Sequence, residues 1–123
     1  MFLGNLLGAL LICLLVTDTN IIDINLIISR AETKILASPY ESYVRALFCG
    51  FLMTMATQKD TPKIITIGCV VAFVLSNFNH CIADIMYIFF STELLLYRIL
   101  YLVFVVIGNI TGGILPRKIK PQN

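Results

Sequence analysis

Long apolar stretches separated by short polar segments dominate the chain. A helix needs about 20 apolar residues to cross a bilayer. The stretches cover about residues 2–16, 43–57, 64–90 and 94–115. This pattern predicts an all-α polytopic membrane protein with about four transmembrane helices. Residues 1–123 would form a single partial transmembrane domain, with residues 116–123 as a basic tail.

The first stretch is shorter than a full membrane span. At about 1.5 Å per residue it reaches only about 22 Å, whereas the hydrocarbon core is about 30 Å thick. We therefore expect the chain to begin partway through a span.

A mixed segment joins the first two stretches. Its apolar residues follow helical spacing, with polar residues on the other side. The apolar set is Ile24, Ile27, Ile28, Ala31 and Ile35, and the polar set is Asp23, Asn25, Arg30, Glu32 and Lys34. This predicts an amphipathic helix that lies at the membrane interface or packs on the bundle, with a break at Pro39.

A polar island at residues 76–84 interrupts the third stretch and contains His80, the single histidine. Ionisable side chains at membrane depth are costly and usually mark a transport pathway. The backbone can leave helical pairing there only where protein or a watery cavity surrounds it. The island therefore predicts a helix broken near residues 77–80, beside a path for a polar solute or for protons.

The island also offers specific chemistry. Asn77 and Asn79 can bond to backbone groups released by the break. His80 can donate a hydrogen bond to a small anion. It can also transfer a proton to a weak-acid anion, and the neutral acid then crosses an apolar constriction more easily. Alternatively, His80 is a packing residue bonded to Asp84 or to a carbonyl. Asp84 either orients His80 or caps a helix end, and Phe78 is either an apolar gate or ordinary packing.

A glycine motif occurs near both ends of the chain. Gly4, Asn5 and Gly8 have the same spacing as Gly108, Asn109 and Gly112. Small residues at this spacing let helices approach closely. The motif indicates either two unrelated packing faces or corresponding helices of a duplicated transporter or channel fold.

Composition supports a membrane location and narrows the function. The residues are 59% hydrophobic and 13% charged, with mean hydropathy +0.92, which is typical of an integral membrane protein. The net charge of +2 is too small to indicate a nucleic-acid partner. There is no cysteine pair with metal-ligand spacing, no nucleophile with a nearby base and no phosphate-binding loop. We therefore expect no enzyme activity, no metal and no cofactor.

Basic residues are slightly more numerous on the side of the termini. That side would hold Lys59, Lys63, Arg117, Lys118 and Lys120, while Arg30, Lys34 and Arg98 would lie on the other. The positive-inside rule then favours cytoplasmic termini.

Four stretches, in this order and spacing, resemble the formate/nitrite transporter family. FLGNLLGALL at residues 2–11 is similar to its third helix, RALFCGFLM at 45–53 to the start of its fourth, and IGNITGG at 107–113 to its sixth. FNHCIADIMY at residues 78–87 is similar to the G-F-E-H-x-I-A-[DN]-M-[FY] signature of the broken fifth helix. The resemblance covers about the last four of six helices.

The resemblance implies an aquaporin-like partial bundle in a prokaryotic-type inner membrane. It also implies a homopentamer in which each protomer has its own channel-like pore for formate, nitrite or a related anion. His80 matches the family's central histidine, the proton or charge partner of the anion. Lys34 matches a lysine that would attract anions, or is a solvated charge, and Asn5 and Asn109 match structural asparagines.

The chain also departs from the family pattern. Asn77 stands where the family usually has glycine, and Asn79 where it has glutamate, so a negative charge beside His80 is lost. The first two helices and a pore-lining loop have no counterpart here. We therefore expect the isolated chain to be incomplete as a pore. The alternative is a non-transporting remnant or an assembly partner of a membrane pore.

Overall fold

The computed structural model describes residues 2–19 and 21–119, and over these residues its only regular elements are helices. This confirms the predicted all-α class. The six helices are α1 (Phe2–Thr19), α2 (Ile24–Ile35), α3 (Pro39–Thr57), α4 (Lys63–Leu75), α5 (Ile85–Phe90) and α6 (Leu95–Ile119).

Helix α1 is apolar around its whole circumference and packs mainly on α5. Ala9 and Cys13, one turn apart, are buried, whereas Leu3, Leu7 and Leu14 are at least 60% exposed. A helix that is apolar on all sides needs lipid or another protein on its uncovered faces. Most of α1 is therefore available to such neighbours.

Helix α2 is amphipathic and is joined to α3 by a short turn. Asp23 caps α2, because its carboxylate accepts a hydrogen bond of 2.9 Å from the Asn25 backbone N–H. Pro39 begins α3, where the first turn requires no N–H donor. Lys34 was assigned to the polar side of α2, but it is buried, so the expectation of a solvated charge was wrong. A carboxylate on the broken segment explains that burial, as described below.

Helices α3 and α6 form the most extensive helix pair. A methyl group added at Gly112 would overlap the Leu47 carbonyl, and one at Gly50 would overlap the Asn109 carbonyl. Glycine therefore permits backbone-to-backbone contact at both positions. Ala46 and Val105 are fully buried at this interface.

The third apolar stretch is divided into two helices. Helix α4 ends at Leu75, α5 begins at Ile85, and residues 76–84 between them form turns and irregular backbone, hereafter the broken segment. Asn77 has a φ of +50°, in the left-handed region that asparagine tolerates better than most residues. The chain therefore leaves the helical conformation immediately after α4.

Helix α6 contains the one described segment that is long and apolar enough to cross a membrane, Leu95–Arg117. Leu3–Thr19 and Lys63–Leu75 are shorter apolar helices. The basic tail was expected to begin at Pro116, but α6 continues through this proline to Ile119. The φ of proline suits a helix, and its ring removes only one hydrogen bond near the helix end. Residues 120–123 lie outside the described residues.

Replacing Gly112 with leucine should disrupt the α3–α6 pair. The obstacle is the Leu47 backbone carbonyl, which cannot rotate away, so we expect a loss of about 3 kcal/mol or more, or failure to fold. Gly68→Leu is the matched control, because nothing lies within 4 Å of a Cβ at that position of α4. Thermal unfolding in detergent, followed by circular dichroism, measures both. Equal melting temperatures for the two variants would contradict the close packing.

Candidate functional site

The side chain of Asn109 holds the broken segment against α3 and α6. Its Oδ1 accepts a hydrogen bond of 3.0 Å from the Cys81 backbone N–H. Its Nδ2 donates to the carbonyls of Asn79, at 3.0 Å, and Ala46, at 2.8 Å. One amide thus satisfies two backbone groups of the broken segment and one of α3. Such pairing is required where backbone leaves a helix away from water.

His80 lies within this segment and is half-buried. Its Nδ1 accepts a hydrogen bond of 3.2 Å from the Ile82 backbone N–H. That bond exists only while Nδ1 carries no proton, so the proton of the neutral ring is on Nε2. No described residue forms a hydrogen bond with Nε2. The ring also packs edge-on against Phe73, with centroids 5.9 Å apart.

Asp84 closes the broken segment and forms a buried cluster with two other helices. Its Oδ1 lies 2.8 Å from the Lys34 ammonium on α2, and its Oδ2 accepts a hydrogen bond of 2.6 Å from the Tyr101 hydroxyl on α6. The Lys34 ammonium also lies 4.9 Å from the centre of the Tyr87 ring. Two opposite charges are paired, and both carboxylate oxygens have a partner.

This cluster corrects two expectations for Asp84. The side chain bonds to Lys34 and Tyr101, and no hydrogen bond joins it to His80 in the described structure. It also makes no capping bond to α5, although it directly precedes that helix. The reason is electrostatic, because a buried carboxylate is stabilised far more by an ammonium and a hydroxyl than by an uncharged ring. Asp84 instead fixes α2 to the broken segment.

The two asparagines of the island differ in burial. Asn77 is exposed, whereas Asn79 is only 1% exposed. Both line a cavity of about 450 Å³ between α2, the start of α3 and the broken segment. Lys34 lines the same cavity. Three of the predicted pathway residues therefore line one cavity, whereas His80, which follows Asn79 in the chain, is not among its lining residues.

Phe78, the other aromatic residue of interest, is half-buried and stacks on Phe48 of α3, with centroids 5.9 Å apart and ring planes 17° apart. Phe73 instead contacts the imidazole of His80. The two aromatic residues thus contact different partners, and a gating role for Phe78 remains a prediction.

The two glycine motifs lie in different surroundings. Gly108 and Gly112 are buried against α3, but Gly4, Asn5 and Gly8 of α1 are exposed. A Cβ at Gly4 or Gly8 would meet no atom within 4 Å. Close packing through the α1 motif, and a common origin of the two helices, remain predictions.

Two contributors were not singled out from the sequence. Tyr101 supplies a hydroxyl to Asp84, and Arg30 lines the cavity one helical turn from Lys34. A signal for Tyr101 existed, because a tyrosine in an apolar helix needs a partner for its hydroxyl. Arg30 gave no such signal, since an arginine on an interfacial helix is ordinarily solvated.

The model of the formate/nitrite transporter family matches residues 1–117. The chain belongs to this family. It is accordingly a membrane protein from a family that transports small anions such as formate or nitrite, and membership favours a transport protein over an enzyme. Comparison with curated proteins and with solved structures returned no significant match.

The buried ion pair can be tested with single and double variants. Lys34→Met leaves Asp84 charged and unpaired, and Asp84→Leu does the same to Lys34, so each should lower stability by about 3–5 kcal/mol. The double variant leaves no unpaired charge, so its loss of unfolding free energy should be clearly smaller than the sum of the two single-variant losses. Chemical denaturation in detergent measures all three. Additive losses would show that the two side chains are not coupled.

Proposed function

We propose that the chain forms part of a channel-like pathway for a small monovalent anion of the formate or nitrite kind, linked to protons through His80. The observation that carries this proposal is the bonding of the imidazole. Nδ1 is occupied by the Ile82 N–H, while Nε2 has no partner among the described residues. A neutral ring in this state offers one N–H donor to an anion beside non-helical backbone.

Proton transfer needs a second state of the ring. Uptake of a proton at Nδ1 breaks the bond to Ile82 and gives an imidazolium with two N–H donors. Its Nε2 proton can then pass to the anion, which leaves as the neutral acid while the ring returns to a neutral form. A neutral acid crosses an apolar constriction at a lower desolvation cost than its anion. His80 would therefore supply charge where the anion is most costly.

Neighbouring residues support this role without adding a large net charge. Asp84 offsets the charge of Lys34, so His80 provides the switchable charge of the broken segment. The amides of Asn77 and Asn79 give the adjoining cavity a polar lining. Asn109 holds the backbone on both sides of His80.

The assembly follows from the same proposal. We expect the chain to lie in an inner membrane of prokaryotic type with its termini in the cytoplasm, surrounded by lipid and associated with further copies, as a pentamer by family resemblance. The exposed apolar side chains of α1 supply a surface for lipid or for a neighbouring subunit.

The exposed apolar surface of α1 favours a second function. Because α1 packs mainly on the six-residue α5, much of its apolar surface has no partner within the described chain. The chain could therefore serve as a non-transporting assembly partner of a membrane pore. Transport measurements separate the two functions.

If transport is intrinsic to the isolated chain, proteoliposomes that contain only this chain should take up radiolabelled formate or nitrite with accompanying protons. His80→Ala should lower the flux about a hundredfold, the usual contribution of a positioned proton donor. His80→Gln should also abolish proton movement, because an amide can donate a hydrogen bond but does not titrate. Gly68→Ala is the control, since a Cβ there meets no atom within 4 Å.

Three outcomes are informative. Flux that depends on His80 supports the transport proposal, whereas undiminished, proton-linked flux in His80→Ala contradicts the role of the ring. No flux from the chain alone, with recovery when a two-helix partner from a related transporter is added, supports a pore completed by another chain. No flux under either condition supports the assembly partner.

A further inference from the structure

The cavity beside the broken segment carries an uneven set of charges. It is lined by three cations, Arg30, Lys34 and Arg45, and by one carboxylate, Glu41. Lys34 is paired with the buried Asp84 at 2.8 Å, and Arg45 is paired with Glu41 at 2.7 Å. No hydrogen bond or ion pair holds Arg30 within residues 2–19 and 21–119. Arg30 therefore provides the uncompensated positive charge of the cavity.

The position of Arg30 suits an approaching anion. It precedes Lys34 by four residues on α2, so the two side chains lie on the same face of the helix, one turn apart. Lys34 is 8% exposed, whereas Arg30 is exposed. An anion would thus meet the Arg30 guanidinium in water before it reached the neutralised Lys34.

The inner end of the cavity is polar and incompletely bonded. Asn79 is 1% exposed, and its Oδ1 has no hydrogen-bond partner among the described residues. Buried polar atoms in native proteins are nearly always bonded to protein or to water. This oxygen is an acceptor, so it is free to take a hydrogen bond from water or from a protonated acid, but not from the anion itself.

We propose that this cavity is the capture site of the pathway, and that Arg30 is the residue that captures the anion. The ligand class is a planar monoanion with two oxygens, because a guanidinium can donate two parallel hydrogen bonds to such a group. Lys34, which the family resemblance offered as one candidate for this task and a solvated charge as the alternative, is instead a positioning residue held by Asp84. The inference rests on the proposed transport function, and it assigns the first step of transport to a different residue.

Initial rates of formate uptake into proteoliposomes test the capture step. At about 10 mM ionic strength, where the screening length is about 30 Å, Arg30→Gln should raise the half-saturating formate concentration about threefold to tenfold. The maximal rate should change little, because His80 is intact. At about 1 M salt, where the screening length is about 3 Å, the difference should nearly vanish. Arg30→Lys should fall between wild type and Arg30→Gln, since it keeps the charge but loses the planar fork.

Lys59→Gln is the matched control. It removes the same charge from an exposed residue just beyond the far end of α3. The 19 residues of that helix place the two ends about 28 Å apart. An unchanged half-saturating concentration in Arg30→Gln, or an equal rise in Lys59→Gln, would overturn the proposal. The second result would show a general effect of surface charge.

A binding measurement separates failure of capture from failure of transport. Line broadening of ¹³C-formate by the full chain in maltoside detergent, which lacks phosphate headgroups, reports binding without flux. Broadening that is lost in Arg30→Gln but kept in Lys59→Gln supports the site even if no flux occurs. Broadening that is the same in all three proteins, or absent in wild type, refutes it. Kinetic dependence on Arg30 only in vesicles with anionic lipid would instead assign the arginine to headgroups.

Discussion

A backbone that leaves its helix must find new partners for its amide and carbonyl groups, and the contacts around the broken segment depend on how this requirement is met. The Asn109 amide meets it by bonding to Cys81, Asn79 and Ala46 at once. A single side chain can reach all three because α3 and α6 approach closely at Gly50. The irregular conformation around His80 thus depends on packing between two helices that do not themselves contain it.

The buried ion pair has a complementary role, because it determines where α2 lies. An amphipathic helix could dock at several positions, but a lysine at the C-terminal end of α2 and an aspartate in the broken segment specify one. Pairing offsets much of the cost of removing both charges from water. The Tyr101 hydroxyl adds a bond from α6. Electrostatic pairing and helix packing therefore converge on the same nine-residue segment, residues 76–84.

Hydrophobic periodicity was sufficient to predict the helical class, the amphipathic α2 and the interruption near His80, because each depends on local sequence. It could not predict the partner of Asp84, which is 50 residues away in Lys34. Because His80 precedes Asp84 by four residues, helical spacing favoured His80 as the partner of Asp84. Lys34 was not considered, since its position on α2 indicated a solvated side chain. The continuation of α6 past Pro116 was also missed, since proline is ordinarily a helix terminator. The prediction was therefore limited by a contact between residues distant in sequence and by a proline that does not end its helix.

The glycine contacts between α3 and α6 have a mechanical consequence. Two backbones that touch at Gly50 and Gly112 leave no side-chain layer to rearrange, so neither helix can slide or rotate without a steric collision. The hydroxyls of Tyr43 and Thr111 join the same two helices at 3.2 Å. The α3–α6 pair therefore serves as a rigid frame, against which the elements that contact it only through side chains can move more readily.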